Sequence, residues 1–521
     1  MLLQHFLEKS TRRYPDKCAV ACRGARYTYR DINDSADKLA CALRSAGIER
    51  GDRVAIFLEN CVEAVVSIFG ILKADAVFVM LSASMKQEKL SYILGHCAIK
   101  AIISDSSRIV MNTAVLNASR YLRFVVSTGN TGKDNNELKI PVEHWNDTQN
   151  VSPQNKLPIN DNIDRDLAAI IYTSGSTADP KGVMLTHLNM VSAAHSITQY
   201  LESRPDDIVL NVLPLSFDYG LYQIIMAFKM GATVVLEKSF TYPYQAIKTM
   251  VENRVTGFPG VPTIFSILLQ MSDIGKHDLG SLRYITNTAA ALPVEHVRKL
   301  QDFFPHARIY SMYGLTECKR VSYLPPEELR NRPGSVGKAM PNEEVWIVDE
   351  AGSRLAPGMT GELVVRGSNV MLGYWGDEAA TNAVLRPGPL PGERVLYTGD
   401  LFRMDKDGYL YFVGRKDDMI KTRGERVSPR EIENALCGLN GVAEAAVIPV
   451  PDAVLGSAIK AFVVPQKDRA LQEREIILHC RSVLEDFAVP RFIEIRDSLP
   501  KNESGKIDKL VLRGSCHETM R

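Results

Sequence analysis

Along residues 29–46, YRDINDSADKLACALRSA, apolar positions recur at intervals of three and four. That spacing predicts an amphipathic helix closed by Gly47. GDRVAIFL (51–58) then predicts a strand, CVEAVVSIFGILKA (61–74) a helix, and AIISD (101–105) a further strand. Strand and helix patterns that alternate in this way argue for an α/β domain with a largely parallel sheet. The stretch 128–166, rich in Asn, Asp and Gly, predicts a long connection.

A second α/β run follows. VLNVLP (209–214), ATVVLE (232–237), VTGFPG (255–260), LRYITN (282–287) and ARIYSMYG (307–314) predict short buried strands with helices between them. From 333 to 413 the segments VWIVDE, GELVVRG and YLYFVGR, with turns such as DKDGY, predict a small β-rich subdomain. The tail after Gly414 is rich in charge, with strands at EAAVIPV and IKAFVVP and a helix at EREIILHCRSVL. Ser428, Pro429 and Glu431 stand in the order N-cap, N1, N3, a capping-box helix start.

Composition narrows the class. At 521 residues the chain predicts about three domains or subdomains. The 62 basic and 61 acidic residues nearly cancel, so charge gives no case for nucleic acid or an anionic membrane as partner. The nine cysteines are odd in number, with no CxxC pair; reduced thiols in a cytoplasmic protein are expected, without a metal–thiolate site. The N-terminus, broken by Gln4, His5 and Glu8, is not read as a signal peptide. The most apolar stretch, 64–81, is interrupted by Lys73 and Asp75, so no membrane span is expected.

Candidate chemistry begins at 172–182, YTSGSTADPKG, directly after the apolar run 167–171. Gly175 lets the backbone approach a ligand. The hydroxyls of Thr173, Ser174, Ser176 and Thr177 can donate to phosphate oxygens, and Lys181 adds a point charge. A Walker A loop needs Gly-Lys-Ser/Thr at its end; the order here is Pro180-Lys181-Gly182, which argues against a switch-type NTPase.

The stretch resembles the signature of the adenylate-forming superfamily, which includes acyl-CoA synthetases, luciferases and the adenylation domains of peptide synthetases. Ala178 stands where that signature usually has a second Gly. Four further segments carry the resemblance from about residue 170 to 510. YGLTE (313–317) implies Tyr313 and Gly314 beside adenine, Thr316 at the phosphate and Glu317 on Mg²⁺. YTGD (397–400) implies Asp400 on the ribose hydroxyls. GRKDDMIKTRGERVSPREIE (414–433) implies Arg415 at the ribose, Asp417 at a hinge, Lys421 in the second half-reaction and Arg426 on the nucleotide side. LPKNESGKIDK (499–509) implies Lys506 as the adenylation lysine. The adenine-lining segment, usually Gly-rich, reads NTAAAL here, with Thr288, Ala289 and Ala290 at the corresponding places.

The resemblance implies an α/β fold: a large N-terminal domain (1–416) of two α/β subdomains and a β-rich subdomain, then a small mobile α+β domain (417–521). It implies ATP, Mg²⁺ and two half-reactions. A carboxylate displaces pyrophosphate to form an acyl-adenylate, and an acceptor then expels AMP. The free-standing chain favours CoA as acceptor; a carrier-protein thiol or an amine giving an amide is the alternative, and a non-catalytic nucleotide-binding homologue a second. Phe217, Asp218, Tyr222 and Val261 are the expected acid-pocket residues, with Phe258 and Thr263 as further walls. In peptide-synthetase domains an Asp near the position of Asp218 holds the substrate ammonium, whereas Tyr219-Gly220 resembles the acyl-CoA pattern.

Overall fold

The computed structural model describes all residues except 130–136, 151–160, 174–179, 272, 289–291, 423–424, 453–455, 468, 503–504 and 520–521. The three-and-four spacing after residue 28 folds as the helix Tyr29–Ser45. Its start carries a cap that the pattern alone did not show. Thr28 Oγ1 accepts from the Asp31 N–H at 3.1 Å, and the Asp31 carboxylate accepts from the Thr28 N–H at 2.8 Å. The apolar stretch 64–81 becomes a helix, Val62–Lys73, hydrophobic on all sides and buried from Ala64 to Lys73, and a strand, Val77–Met80. Among the described residues no helix is long and apolar enough to cross a membrane.

The first sheet has eight strands, in the order 373–374, 181–186, 167–173, 77–80, 53–57, 101–105, 124–128 and 142–144. The last six run parallel; Lys181–Thr186 turns back antiparallel on Leu167–Thr173, and Gly373–Tyr374 adds antiparallel at its edge. The polar stretch expected as a connection therefore holds one strand, Val142–His144, and a short helix, Trp145–Thr148. Parallel pairing with Phe124–Thr128 stabilises a strand too short and polar to show a period of its own.

The second sheet carries both the second α/β run and the expected β-rich segment. Its parallel strands Ile208–Asn211, Thr233–Leu236, Gly257–Gly260, Tyr284–Asn287 and Arg308–Tyr313 match the predicted ones. The β-rich segment is not a separate sheet. Ser335–Ala339 pairs with Ser322–Leu324 on one side and Leu410–Arg415 on the other, so among the described residues hydrogen bonding runs unbroken through thirteen strands, with Leu385–Pro387 branching off as a fourteenth. At the far edge Cys18–Cys22 pairs parallel with Thr233–Leu236 and antiparallel with Ala25–Thr28. The helices Val62–Lys73 and Asp218–Met230 meet in the interior, where the Phe69 and Phe228 rings stack with centroids 5.0 Å apart.

The C-terminal region has its own apolar cluster, including Ile432, Leu436, Val447, Ala461, Ile476 and Cys480. Val442–Asp452 and Gly456–Pro465 form an antiparallel pair, with Phe492–Ile495 parallel to the second. Ser428 caps the helix Pro429–Gly438 by accepting from the Glu431 N–H. Its hydroxyl also donates to the Val413 carbonyl, which ties this region to the strand before it.

Candidate active site

Strand pairing sets the base of the candidate phosphate loop. Thr173 lies opposite Lys181 across an antiparallel pair. Ser174, Gly175, Ser176 and Thr177 lie outside the described residues. The Lys181 ammonium stands 5.2 Å from the centre of the Tyr374 ring, and the Tyr374 hydroxyl donates to Glu317 Oε1 at 2.8 Å. Tyr374 was not a sequence candidate. Its strand, Gly373–Tyr374, is two residues long and leaves no periodic signal. It bridges the phosphate loop to the turn that carries Thr316 and Glu317.

The turn after the strand Arg308–Tyr313 depends on Gly314. A Cβ there would stand 2.3 Å from the Lys319 carbonyl oxygen, so only glycine lets the chain double back. Lys319 completes the reversal in the left-handed region, at φ +66°. This folding directs Lys319 and Arg320 inward, and both are buried.

The Tyr313 hydroxyl donates to Asp400 Oδ2 at 2.5 Å. Arg415 faces Asp400 across an antiparallel strand pair, with Nε 3.1 Å from Oδ1. That contact lacks the alignment of a hydrogen bond, which leaves Oδ1 buried and open to a further donor. Burial pushes the Asp400 carboxyl up, with Arg415 and the Tyr313 hydrogen bond acting against it. Glu362, another residue that the sequence reading missed, braces the turn. Its Oε1 accepts from the Gly399 N–H at 3.0 Å and its Oε2 from Lys416 at 3.2 Å.

Lys506 reaches this cluster from the C-terminal region, its ammonium 6.0 Å from the centre of the Phe217 ring. Its loop packs at Gly505 against Thr263 and Val261. Burial pushes the Lys506 ammonium down; Asp218 opposes this most, ahead of Asp400 and Glu317, while Arg415 adds to it. One amine from the C-terminal region thus feels the charge of groups from three segments of the large domain.

Asp218 opens the helix Asp218–Met230, and Gly220 allows the preceding loop to fold over that start. A Cβ on Gly220 would lie 2.3 Å from the Pro214 carbonyl oxygen. Lys319 donates to the Asp218 backbone carbonyl at 3.0 Å and to Oδ2 at 3.3 Å, and its ammonium lies 4.5 Å from the centre of the Tyr222 ring. Burial pushes Lys319 down to about 7 against the pull of Asp218. The sequence could not reveal this pair, because its members lie 101 residues apart. Tyr222 and Val261 are buried, and Phe217 is half-buried.

Other expected residues stand as follows. The buried Thr288 accepts from Arg320 Nη1 at 2.5 Å; Ala289 and Ala290 lie outside the described residues. Asp417 is exposed in the turn between the strands Leu410–Arg415 and Ile420–Thr422. Lys421 and Arg426 are backbone partners in a two-stranded pair, and their side chains lie outside the described set. The described residues include no group of three or more His, Cys, Asp or Glu able to hold a metal ion. Glu317, as a lone hard oxygen donor, fits a Mg²⁺ ion that takes its other ligands from phosphate and water.

The AMP-binding enzyme family matches residues 7–375, and the AMP-binding enzyme C-terminal domain matches 431–506. A long-chain-fatty-acid–CoA ligase of Bacillus subtilis is 32% identical, covering 97% of this chain and 93% of its own. The anthranilate CoA ligase AuaEII, solved with anthranoyl-AMP, superposes with a TM-score of 0.89 at 26% identity, over 99% of this chain and 97% of its own. ATP-bound MatB from Rhodopseudomonas palustris gives 0.87 at 28% identity over the full length of both chains.

Proposed function

The chain belongs to the AMP-binding enzyme family, and on that footing we propose how its residues carry out an AMP-forming acid–CoA ligase reaction. A carboxylic acid attacks the α-phosphate of ATP, giving an acyl-adenylate and pyrophosphate. The CoA thiol then attacks the acyl carbonyl and AMP leaves. The observation that carries the assignment of roles is the seat of Lys506 against the large domain, its ammonium 6.0 Å from the centre of the Phe217 ring and the neighbouring Gly505 against Thr263 and Val261.

In the first step Lys506 lies between the attacking carboxylate and the α-phosphate oxygens, where negative charge accumulates. Asp400 Oδ1, buried and open to a donor, accepts the ribose hydroxyls, while Tyr313 and Arg415 fix the carboxylate in place. Tyr313 and Thr288 flank adenine, with Arg320 fixing the Thr288 hydroxyl. Lys181 and the loop hydroxyls hold the departing pyrophosphate. Glu317, oriented by Tyr374, supplies the protein ligand to Mg²⁺, which offsets phosphate charge when bound.

For the second step the 417–521 region turns about Asp417, in the exposed turn after the strand Leu410–Arg415. That motion withdraws Lys506 and brings in the Ile420–Thr422 pair with Lys421, while Arg426 follows on the opposite strand. CoA is the acceptor; the engagement of Asp218 by Lys319 argues against a free carboxylate waiting for an amino-acid ammonium.

The test is pyrophosphate release over a panel of acids, with product mass measured with and without CoA. Acyl-thioester formation that requires ATP supports the reading. An amide product, or no release with any acid, overturns it.

A further inference from the structure

Building on that reading and its turn about Asp417, we propose that Ser428 is a positioning residue for the first half-reaction. Its hydroxyl, bonded across the hinge to the Val413 carbonyl, holds the 417–521 region in the orientation that seats Lys506. Val413 lies before Asp417 and Ser428 after it, so a turn about Asp417 moves one partner and leaves the other. The bond must break before the Ile420–Thr422 pair can swing in with Lys421. Ser428 is 4% exposed, so little water competes for its hydroxyl in this orientation.

The acceptor is set up by an irregularity in its strand. Across the antiparallel pair Leu401 faces Gly414 and Phe402 faces Phe412, so Val413 is the extra residue of a β-bulge. A bulge takes its residue out of the ladder and re-aims it. Gly414 lets this backbone lie close to the next region: a Cβ there would stand 3.1 Å from Met419 Sδ and 3.5 Å from Ser428 Oγ. Two residues beyond Ser428, the Arg430 guanidinium stands 5.8 Å from the centre of the Phe412 ring, which stacks on Tyr313 with centroids 6.2 Å apart. The start of the helix Pro429–Gly438 is therefore seated on the strand that also carries Arg415. Ser428 Oγ does two things that substitution can separate. It accepts from the Glu431 N–H, which caps the helix, and it donates to Val413, which crosses the hinge. An ionised carboxylate can do the first and not the second.

The experiment measures acyl-adenylate formation, and separately thioester formation from preformed acyl-adenylate, with the best acid of butyrate, octanoate, palmitate and benzoate. In Ser428→Asp the carboxylate keeps the cap and loses the bond to Val413. The ratio of the first rate to the second should fall by about three- to tenfold, while the urea midpoint stays near that of the wild type. Ser428→Thr, able both to cap and to donate, should keep the wild-type ratio. An unchanged ratio in Ser428→Asp, an equal loss of both steps, or a Ser428→Thr ratio as low as that of Ser428→Asp overturns the proposal while the ligase assignment stands. Should Ser428→Asp not fold, Ser428→Gly decides by the same ratio, since glycine is tolerated at an N-cap and has no hydroxyl to donate. No adenylate with any acid overturns the ligase reading itself, and equal loss of both steps in Lys506→Ala overturns the alternation on which the proposal rests.

Discussion

The Tyr374 hydroxyl donates to Glu317 Oε1 at 2.8 Å, joining an edge strand of the first sheet to the turn after Arg308–Tyr313. A hydrogen bond to a carboxylate contributes about 1.5–3 kcal/mol. Tyr374→Phe should therefore lower kcat/KM for ATP by about tenfold or more and raise the Mg²⁺ concentration needed for half-maximal rate. Pyrophosphate release across a Mg²⁺ titration checks this, and an unchanged midpoint would refute the orienting role.

The Asp400 carboxyl lies between Tyr313 and Arg415, with one oxygen open among the described residues. Asp400→Asn keeps the shape and removes the charge-assisted acceptor. The ATP KM should rise by about one to two orders of magnitude. The acid KM should change little, since the proposed role of Asp400 is at the ribose; initial rates with each substrate varied separate the two.

Lys506→Ala should cut acyl-adenylate formation by about a hundredfold or more. Transfer from preformed acyl-adenylate to CoA should persist, because the second step is assigned to a conformation from which Lys506 has withdrawn. Equal loss of both half-reactions, assayed separately, would sink the alternation.

His187, at the start of the helix His187–Tyr200, accepts the Leu3 N–H on Nδ1 at 3.1 Å, which requires a neutral ring. Burial pushes its pKa down to about 4 from the ordinary 6.5. Between those values the unfolded chain binds more protons than the folded one. Stability is thus held above pH 6.5 and lost as pH falls towards 4, by about 3 kcal/mol over the window. In His187→Asn the amide oxygen can still accept from Leu3, and urea midpoints should fall less steeply over this range.

Much of the fold could be read because its signals are local. The helix Tyr29–Ser45 and the strand Ala101–Asp105 follow from periodicity, and the phosphate-loop and C-terminal lysine segments from contiguous residues. What escaped depended on distant partners. Val142–His144 is a strand only because Phe124–Thr128 lies beside it. The join between the β-rich segment and the second α/β run escaped because it is a pairing register, Ser335–Ala339 against Ser322–Leu324, with no hydrophobic pattern to mark it. Lys319 carries no local signal in the sequence after YGLTE, and only the reversal at Gly314 turns it towards Asp218.

The far edge of the second sheet sets the order in which the chain can fold during synthesis. Cys18–Cys22 needs Thr233–Leu236 as its parallel neighbour. At about 5–20 residues per second, the ribosome makes that partner roughly ten to forty seconds after the early strand emerges. Until then an apolar strand edge is bare, a hazard for association with other chains. The hairpin partner Ala25–Thr28, itself largely exposed, covers one side of that edge from the outset. Nascent-chain yield should therefore be sensitive to changes in this first hairpin, far from any residue that handles ATP.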